Sequence, residues 1–155
     1  MKNTCLVYIE KEDQYLMLLR NKKKNDENAG KWIGVGGHFE EGESPEECML
    51  REVYEETGLT LTGYQYRGIV TFVSDRYETE YMHLFTATEF MGILKECREG
   101  DLRWIPKDQV FSLNLWEGDR AFLSFLMEDK DFFSMKLVYE GDSLVKIQSN
   151  IYGKK

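Results

Sequence analysis

The chain has 155 residues, a formal net charge of −8, and 42% hydrophobic and 14% aromatic residues. This composition excludes a disordered chain, and the acidic balance excludes a general binder of nucleic-acid polymer, which needs a basic footprint. It predicts one domain over residues 1–155, able to bury about 68–70% of its unfolded surface. A small nucleotide remains possible as a ligand, because bound cations can supply local positive charge.

Residues 4–10 and 14–20 are β-like runs separated by Lys11, Glu12 and Asp13, which predicts an opening hairpin. Glu10 interrupts the first apolar run, so it does not read as a secretion signal. No stretch approaches the ~20 apolar residues of a membrane helix. Cys5, Cys48 and Cys97 are odd in number, scattered and without a C-x-x-C pair, which points to reduced thiols and a cytoplasmic location.

Residues 21–30 are polar, with Lys22, Lys23 and Lys24 followed by Asn25, Asp26, Glu27 and Asn28. The pattern predicts a mobile, solvated loop, and its functional alternative is a lid whose lysines, Lys23 among them, meet a phosphate tail. Residues 31–37 alternate apolar side chains with glycines, which implies a backbone that something approaches closely. Trp32 reads equally as a core or edge aromatic and as part of a ligand wall.

The stretch 37–59 organises the chain. Its second half predicts a helix with both ends specified: Ser44 as N-cap with Glu47 completing a capping box, Pro45 at the first helical position, and Gly58 as the stop. Between these, Glu52, Glu55 and Glu56 sit at i, i+3 and i+4 and share a face, where like charges cost roughly 0.2–0.5 kcal/mol per pair. A hard divalent cation between the carboxylates would offset that cost, and Mg²⁺ favours such oxygens together with substrate phosphates. Arg51 can orient a carboxylate without ligating metal. Cys48, one turn before Glu52, reads as a small residue that leaves room for the site.

This stretch resembles the Nudix box, G-x5-E-x7-R-E-U-x-E-E-x-G-U with U a bulky aliphatic residue. Gly37, Glu43, Arg51, Glu52, Val53, Glu55, Glu56, Gly58 and Leu59 fill every fixed position. The resemblance implies an α/β fold, specifically an α/β/α sandwich around a mixed β-sheet. It also implies hydrolysis of a nucleoside diphosphate linked to another moiety, with Mg²⁺ or Mn²⁺ on Glu52, Glu55 and Glu56 and commonly on the Gly36 carbonyl. Glu43 and Arg51 then support the loop–helix geometry. The general base is Glu55, Glu56 or a downstream acid.

After the helix, residues 60–72 and 81–88 alternate as strands and 73–80 read as their connection. Phe72 is a candidate for a pocket floor, with core packing as its plainer role. His38 and His83 stand at no metal-ligand spacing. Residues 99–106 resemble the acidic strand that many Nudix enzymes carry here, which makes Glu99 and Asp101 both candidates for completing the metal site. Residues 106–111 read as a turn or helix start, and 115–128 as an amphipathic helix with Trp116, Phe122, Leu123 and Leu126 among its apolar residues. Residues 132–139 and 143–151 close the chain as a hairpin around Glu140, Gly141 and Asp142.

For the substrate, Trp32 before the glycines and the run Leu115 to Asp119 resemble the MutT-like branch that removes oxidised purine triphosphates such as 8-oxo-dGTP. The resemblance implies that Trp116 stacks on the base and Asp119 hydrogen-bonds its edge. Two positions depart from that branch. Ile33 stands where an asparagine often reads the base, and Gly118 stands where a first aspartate is carried. Canonical (d)NTPs, a conjugate such as ADP-ribose, a non-catalytic nucleotide-binding regulator and a structural or interaction protein are the alternatives. A monomer or homodimer acting on a small nucleotide, with no membrane partner, completes the expectation.

Overall fold

The computed structural model describes residues 1–153. Nine strands and two α-helices follow in chain order: β1 (Lys2–Lys11), β2 (Gln14–Arg20), β3 (Trp32–Ile33), β4 (Val35–His38), α1 (Pro45–Thr57), β5 (Thr60–Ser74), β6 (Glu80–Met91), β7 (Gly100–Pro106), α2 (Glu117–Met127), β8 (Phe133–Glu140) and β9 (Ser143–Ile151). A 3₁₀ turn at Lys107–Ser112 precedes α2. Each element expected from the sequence is present, with ends moved by a few residues.

β1 is the junction of the sheet. It pairs with β2 only at Glu10↔Tyr15 and Lys11↔Gln14, so the opening hairpin exists but separates at once. From there back to its start, β1 runs parallel to β6 and, over Thr4 to Val7, antiparallel to β4. The main sheet continues through β5 and β8 to β9, while β2 carries β3 and β7 in a smaller antiparallel group. Parallel and antiparallel ladders therefore coexist, as a mixed sheet requires.

Strand alternation divides the core into two layers. Leu6 and Tyr8 of β1, Tyr15 and Met17 of β2, and Met82 and Leu84 of β6 pack with Phe122, Leu123 and Leu126 of α2. Cys5, Val7 and Ile9, Leu16 and Leu18, and Phe85 and Ala87 face the other way and pack with Cys48, Met49 and Val53 of α1. The helices thus cover opposite faces of the sheet, which is the three-layer sandwich. Each fully buried aliphatic side chain contributes roughly 1.5–3 kcal/mol. Among the described residues no helix is long and apolar enough to cross a membrane.

The ends of α1 are those the sequence specifies. Ser44 Oγ accepts from Glu47 N at 3.1 Å and Glu47 Oε1 accepts from Ser44 N at 2.9 Å. Gly58 takes φ +79° and donates its N–H to the Tyr54 carbonyl. Only glycine adopts that conformation without strain, and it sets the length of the helix that carries the acids.

Candidate active site

The loop after β4 and the helix α1 are joined through Arg51. Its Nε and Nη2 make a fork on Glu43 at 2.7 and 2.9 Å, and Nη2 also donates to the His38 carbonyl at 3.0 Å. Nη1 donates to Glu52 at 2.7 Å and to Glu55 at 3.2 Å. Arg51 therefore holds the Glu43 carboxyl below its ordinary value, chiefly through the hydrogen bonds of the fork. Glu52 is pushed the other way: burial raises it, and Arg51 opposes that rise.

Glu52 sits over β4 because Gly37 has no side chain. A Cβ there would lie 2.5 Å from the Glu52 carboxyl carbon. Gly37→Ala is expected to displace that carboxylate and lower turnover by about 10²-fold, the cost of roughly an ångström of misplacement. Because the displaced atoms are the far end of a flexible chain, the melting temperature should change little, so paired kinetic and thermal measurements check the claim.

A cavity of about 440 Å³ opens beside these residues, within the usual range for small-molecule sites. Gly36, Lys23, Ile33 and Phe72 line it together with two groups joined by their own contacts, Glu52, Glu56, Glu99 and Arg20 at one end and Trp116, Tyr139, Asp119 and Glu80 at the other. One oxygen of Glu56 is buried without a hydrogen-bond partner. Burial, then the neighbouring Glu99, pushes its carboxyl up to about 10. A cation beside such a group would offset the cost of its burial, and hard oxygen donors around it suit a divalent metal. Among the described residues no three acidic, His or Cys side chains already converge at ligand spacing. Arg51 draws Glu52 and Glu55 to itself.

Several expected residues reach the cavity and others do not. Glu55 does not border the cavity: it is 56% exposed and held by Arg51. Glu99 and Asp101 are separated by their partners. Arg20 Nη1 holds Glu99 at 2.7 Å beside the cavity, whereas Asp101 accepts from Asn21 at 2.8 Å and lies near Lys22, away from it. Asp101 is therefore not brought to the site. Trp32 is not at the wall either: it packs with the α2-side core, and strand alternation turns its neighbour Ile33 to the cavity instead. Of the three loop lysines only Lys23 borders the cavity, with Nζ 3.9 Å from Glu99. His83 lies against Tyr66 and Phe39, outside the cavity.

Sequence reasoning did not find Arg20, Asp26, Asn28 and Glu80. Arg20 Nε donates to Asp26 at 2.7 Å, and both are largely buried. Their signal was an arginine closing an apolar strand, with an Asn-Asp cluster after it. Glu80 accepts from Thr4 Oγ1 at 2.6 Å and brings a second carboxyl to the end of the cavity that holds Asp119. Nothing local in the sequence marks it.

Asp119 is only 4% exposed. Burial, with Glu80 adding and Lys31 opposing, pushes its carboxyl up to about 8. A folded-state value above the ordinary one near 3.9 means that the fold binds the proton more tightly than the unfolded chain does. The stability linked to Asp119 is complete below about pH 4 and is lost as pH rises to about 8. Asp119→Asn should therefore melt several degrees higher than the parent at pH 8 (roughly 2–4 °C per kcal/mol), with the difference vanishing near pH 4. Metal-free thermal melts across that range check it.

Residues 2–126 match the NUDIX domain family. The oxidized purine nucleoside triphosphate hydrolase of Mus musculus is 32% identical over 116 residues, covering 74% of this chain and 74% of that protein. The uncharacterized Nudix hydrolase YvcI of Bacillus subtilis is 29% identical over 136 residues, 84% of this chain and 82% of that one. The crystal structure of the mutator MutT protein from Bacillus halodurans overlays with a TM-score of 0.87 at 27% identity, covering 97% of this chain and 98% of the other.

Proposed function

The chain belongs to the NUDIX domain family and is a pyrophosphohydrolase, and from that premise we propose that it converts oxidised purine (d)NTPs, such as 8-oxo-dGTP, to the monophosphate and pyrophosphate with Mg²⁺ or Mn²⁺. The observation that carries this reading is a single cavity with carboxylates at one end and an aromatic wall with one deeply buried acid at the other. The resemblance to the mouse hydrolase, which is named for oxidised purine triphosphates, supports it.

In this reading Glu52, Glu56, Glu99 and the Gly36 carbonyl would hold the cation, and Glu55, on the same helix, would complete the set. When bound, a divalent cation offsets phosphate charge and lowers the pKa of water. Arg51 orients Glu52, and Lys23 meets the outer phosphates. A glutamate of the set accepts the proton of the attacking water as the bond between the α- and β-phosphoryl groups breaks. Trp116 and Phe72 take the base faces, and Asp119 meets its edge.

Product formation should be measured with Mg²⁺ and with Mn²⁺ over 8-oxo-dGTP, 8-oxo-GTP, the four canonical dNTPs and ADP-ribose, reading monophosphate and pyrophosphate from the triphosphates and AMP from ADP-ribose. The reading expects 8-oxo-dGTP to exceed dGTP in kcat/KM by at least about tenfold, the worth of one polar contact. Equal rates on dGTP, or faster turnover of ADP-ribose, would overturn the substrate while leaving the reaction class intact.

A further inference from the structure

The loop that the sequence presents as solvated is tied to the tryptophan at the base end of the cavity. The Trp116 side chain has one polar atom, and that indole Nε1 donates to Asn28 Oδ1 at 2.9 Å. Asn28 is itself fixed on both sides of its own backbone. Its N–H donates to Asp26 Oδ1 at 3.0 Å, and its carbonyl accepts from Lys31 N at 2.9 Å. The other Asp26 oxygen is held by Arg20, whose remaining arm holds Glu99. Further contacts bound the indole. Lys31 Nζ lies 4.7 Å from the ring centroid and does not border the cavity. Tyr139 meets it edge to face at 5.7 Å, and the Tyr139 hydroxyl accepts from Gly118 N at 2.7 Å.

We propose that Asn28 is a positioning residue for substrate selection: by holding the Trp116 indole N–H it sets the ring plane against which the nucleotide base stacks. The inference rests on the reading above that Trp116 contacts the base, and it goes beyond that reading in assigning the control of the ring to a residue of the 21–31 loop. Two features favour this role over simple loop anchoring. The loop already has an anchor of its own in the Arg20–Asp26 pair, which does not involve Trp116. Also, an indole has only its N–H with which to fix a rotamer by hydrogen bonding, so without Asn28 the ring is held by packing alone. Pre-organising an aromatic platform improves binding by removing the cost of ordering it when the ligand arrives. The predicted signature is a change in KM for substrates that carry a base and none for those that lack one.

The test compares Asn28→Ala, Asn28→Asp and Trp116→Phe, singly and in the Asn28→Ala/Trp116→Phe combination. It uses whichever (d)NTP the parent enzyme hydrolyses best, which keeps the test independent of which base is preferred. Methyl triphosphate serves as the base-free substrate. Asn28→Ala should raise KM for the nucleotide about five- to tenfold, as expected for one lost hydrogen bond, with kcat within about twofold. Asn28→Asp, which keeps an acceptor oxygen, should restore KM, and methyl triphosphate kinetics should be unaltered in both. In the Trp116→Phe background, which keeps an aromatic face but has no N–H to hold, Asn28→Ala should add nothing further. The proposal fails if Asn28→Ala leaves KM unchanged, if it weakens methyl triphosphate equally, or if its effect persists in full in the Trp116→Phe background. Should Asn28→Ala not fold, the Asn28→Asp and Trp116→Phe singles still decide. KM at the parent value in Trp116→Phe, or raised as far in Asn28→Asp as in Trp116→Phe, overturns the assignment.

Discussion

Glu56→Gln is expected to lower turnover on the order of 10²–10⁴-fold, the range for loss of a positioned acid–base or metal-binding carboxylate, and at the same time to raise the melting temperature of the metal-free protein. The two effects have one cause. Burial, reinforced by Glu99, pushes the Glu56 carboxyl up to about 10, and one of its oxygens has no partner. A folded-state value above the ordinary one near 4.3 means that the linked stability is complete below about pH 4 and is lost as pH rises toward 10. At neutral pH the metal-free fold therefore bears a cost for this group, which the neutral amide removes. A bound cation would remove it differently, by binding the folded state alone and stabilising it by mass action. The parent should consequently gain several degrees on addition of millimolar Mg²⁺ or Mn²⁺, and Glu56→Gln should gain much less. Turnover within about threefold of the parent, together with an unchanged metal-induced shift, would show that the cation is not held at Glu56.

The parts of this site that local sequence discloses are those whose determinants lie within one helical turn. Ser44, Pro45, Glu47 and Gly58 specify both ends of α1, and the spacing of Glu52, Glu55 and Glu56 follows from helix geometry alone. The alternation of β8 is equally legible, with Phe133, Met135, Leu137 and Tyr139 all buried on one face. What remains hidden depends on partners far along the chain. Glu99 and Asp101 are indistinguishable by type and spacing, and Arg20, 79 positions before Glu99, makes the choice between them. Asn28 looks like one more polar loop residue until Trp116, 88 positions later, is seen to meet it. β1 carries a continuous apolar run because both its faces are covered. The hairpin with β2 is legible at its turn, but neither the early separation of the two strands nor the parallel pairing of β1 with β6 leaves a local trace.

These two kinds of information meet on α1. The helix exposes a row of acids that an isolated peptide would resist, and the tertiary structure does not disperse them. It places Gly37 under Glu52, buries Glu56, and leaves Glu55 in solvent. Under the proposed function, a bound cation would offset the cost of holding these carboxyls together. Stored strain of this kind is expected where function overrides local preference.

Arg51 keeps that repulsion tolerable, and Arg51→Met is expected to cost about 2–3 kcal/mol of stability. A fully buried pair that loses one partner costs about 3–5 kcal/mol; the lower figure applies because Glu43 and Glu52 keep 14% and 15% of their side-chain surface in solvent. For a chain of this length the melting temperature should fall by roughly 4–12 °C. Arg51→Lys should recover only part of it, since an ammonium cannot make the two-pronged contact with Glu43 and also reach Glu52, Glu55 and the His38 carbonyl. The pH dependence separates this account from a general packing loss. Arg51 holds Glu43 below its ordinary value, so the stability that this pair contributes is present above about pH 4.3 and is lost as pH falls through the depressed folded-state value. The gap between parent and Arg51→Met should thus be widest near neutrality and should close in acid. A gap that stays constant from pH 7 to pH 3 would mean that Arg51 stabilises the protein through its aliphatic stem, and that its charge does not organise the acids around it.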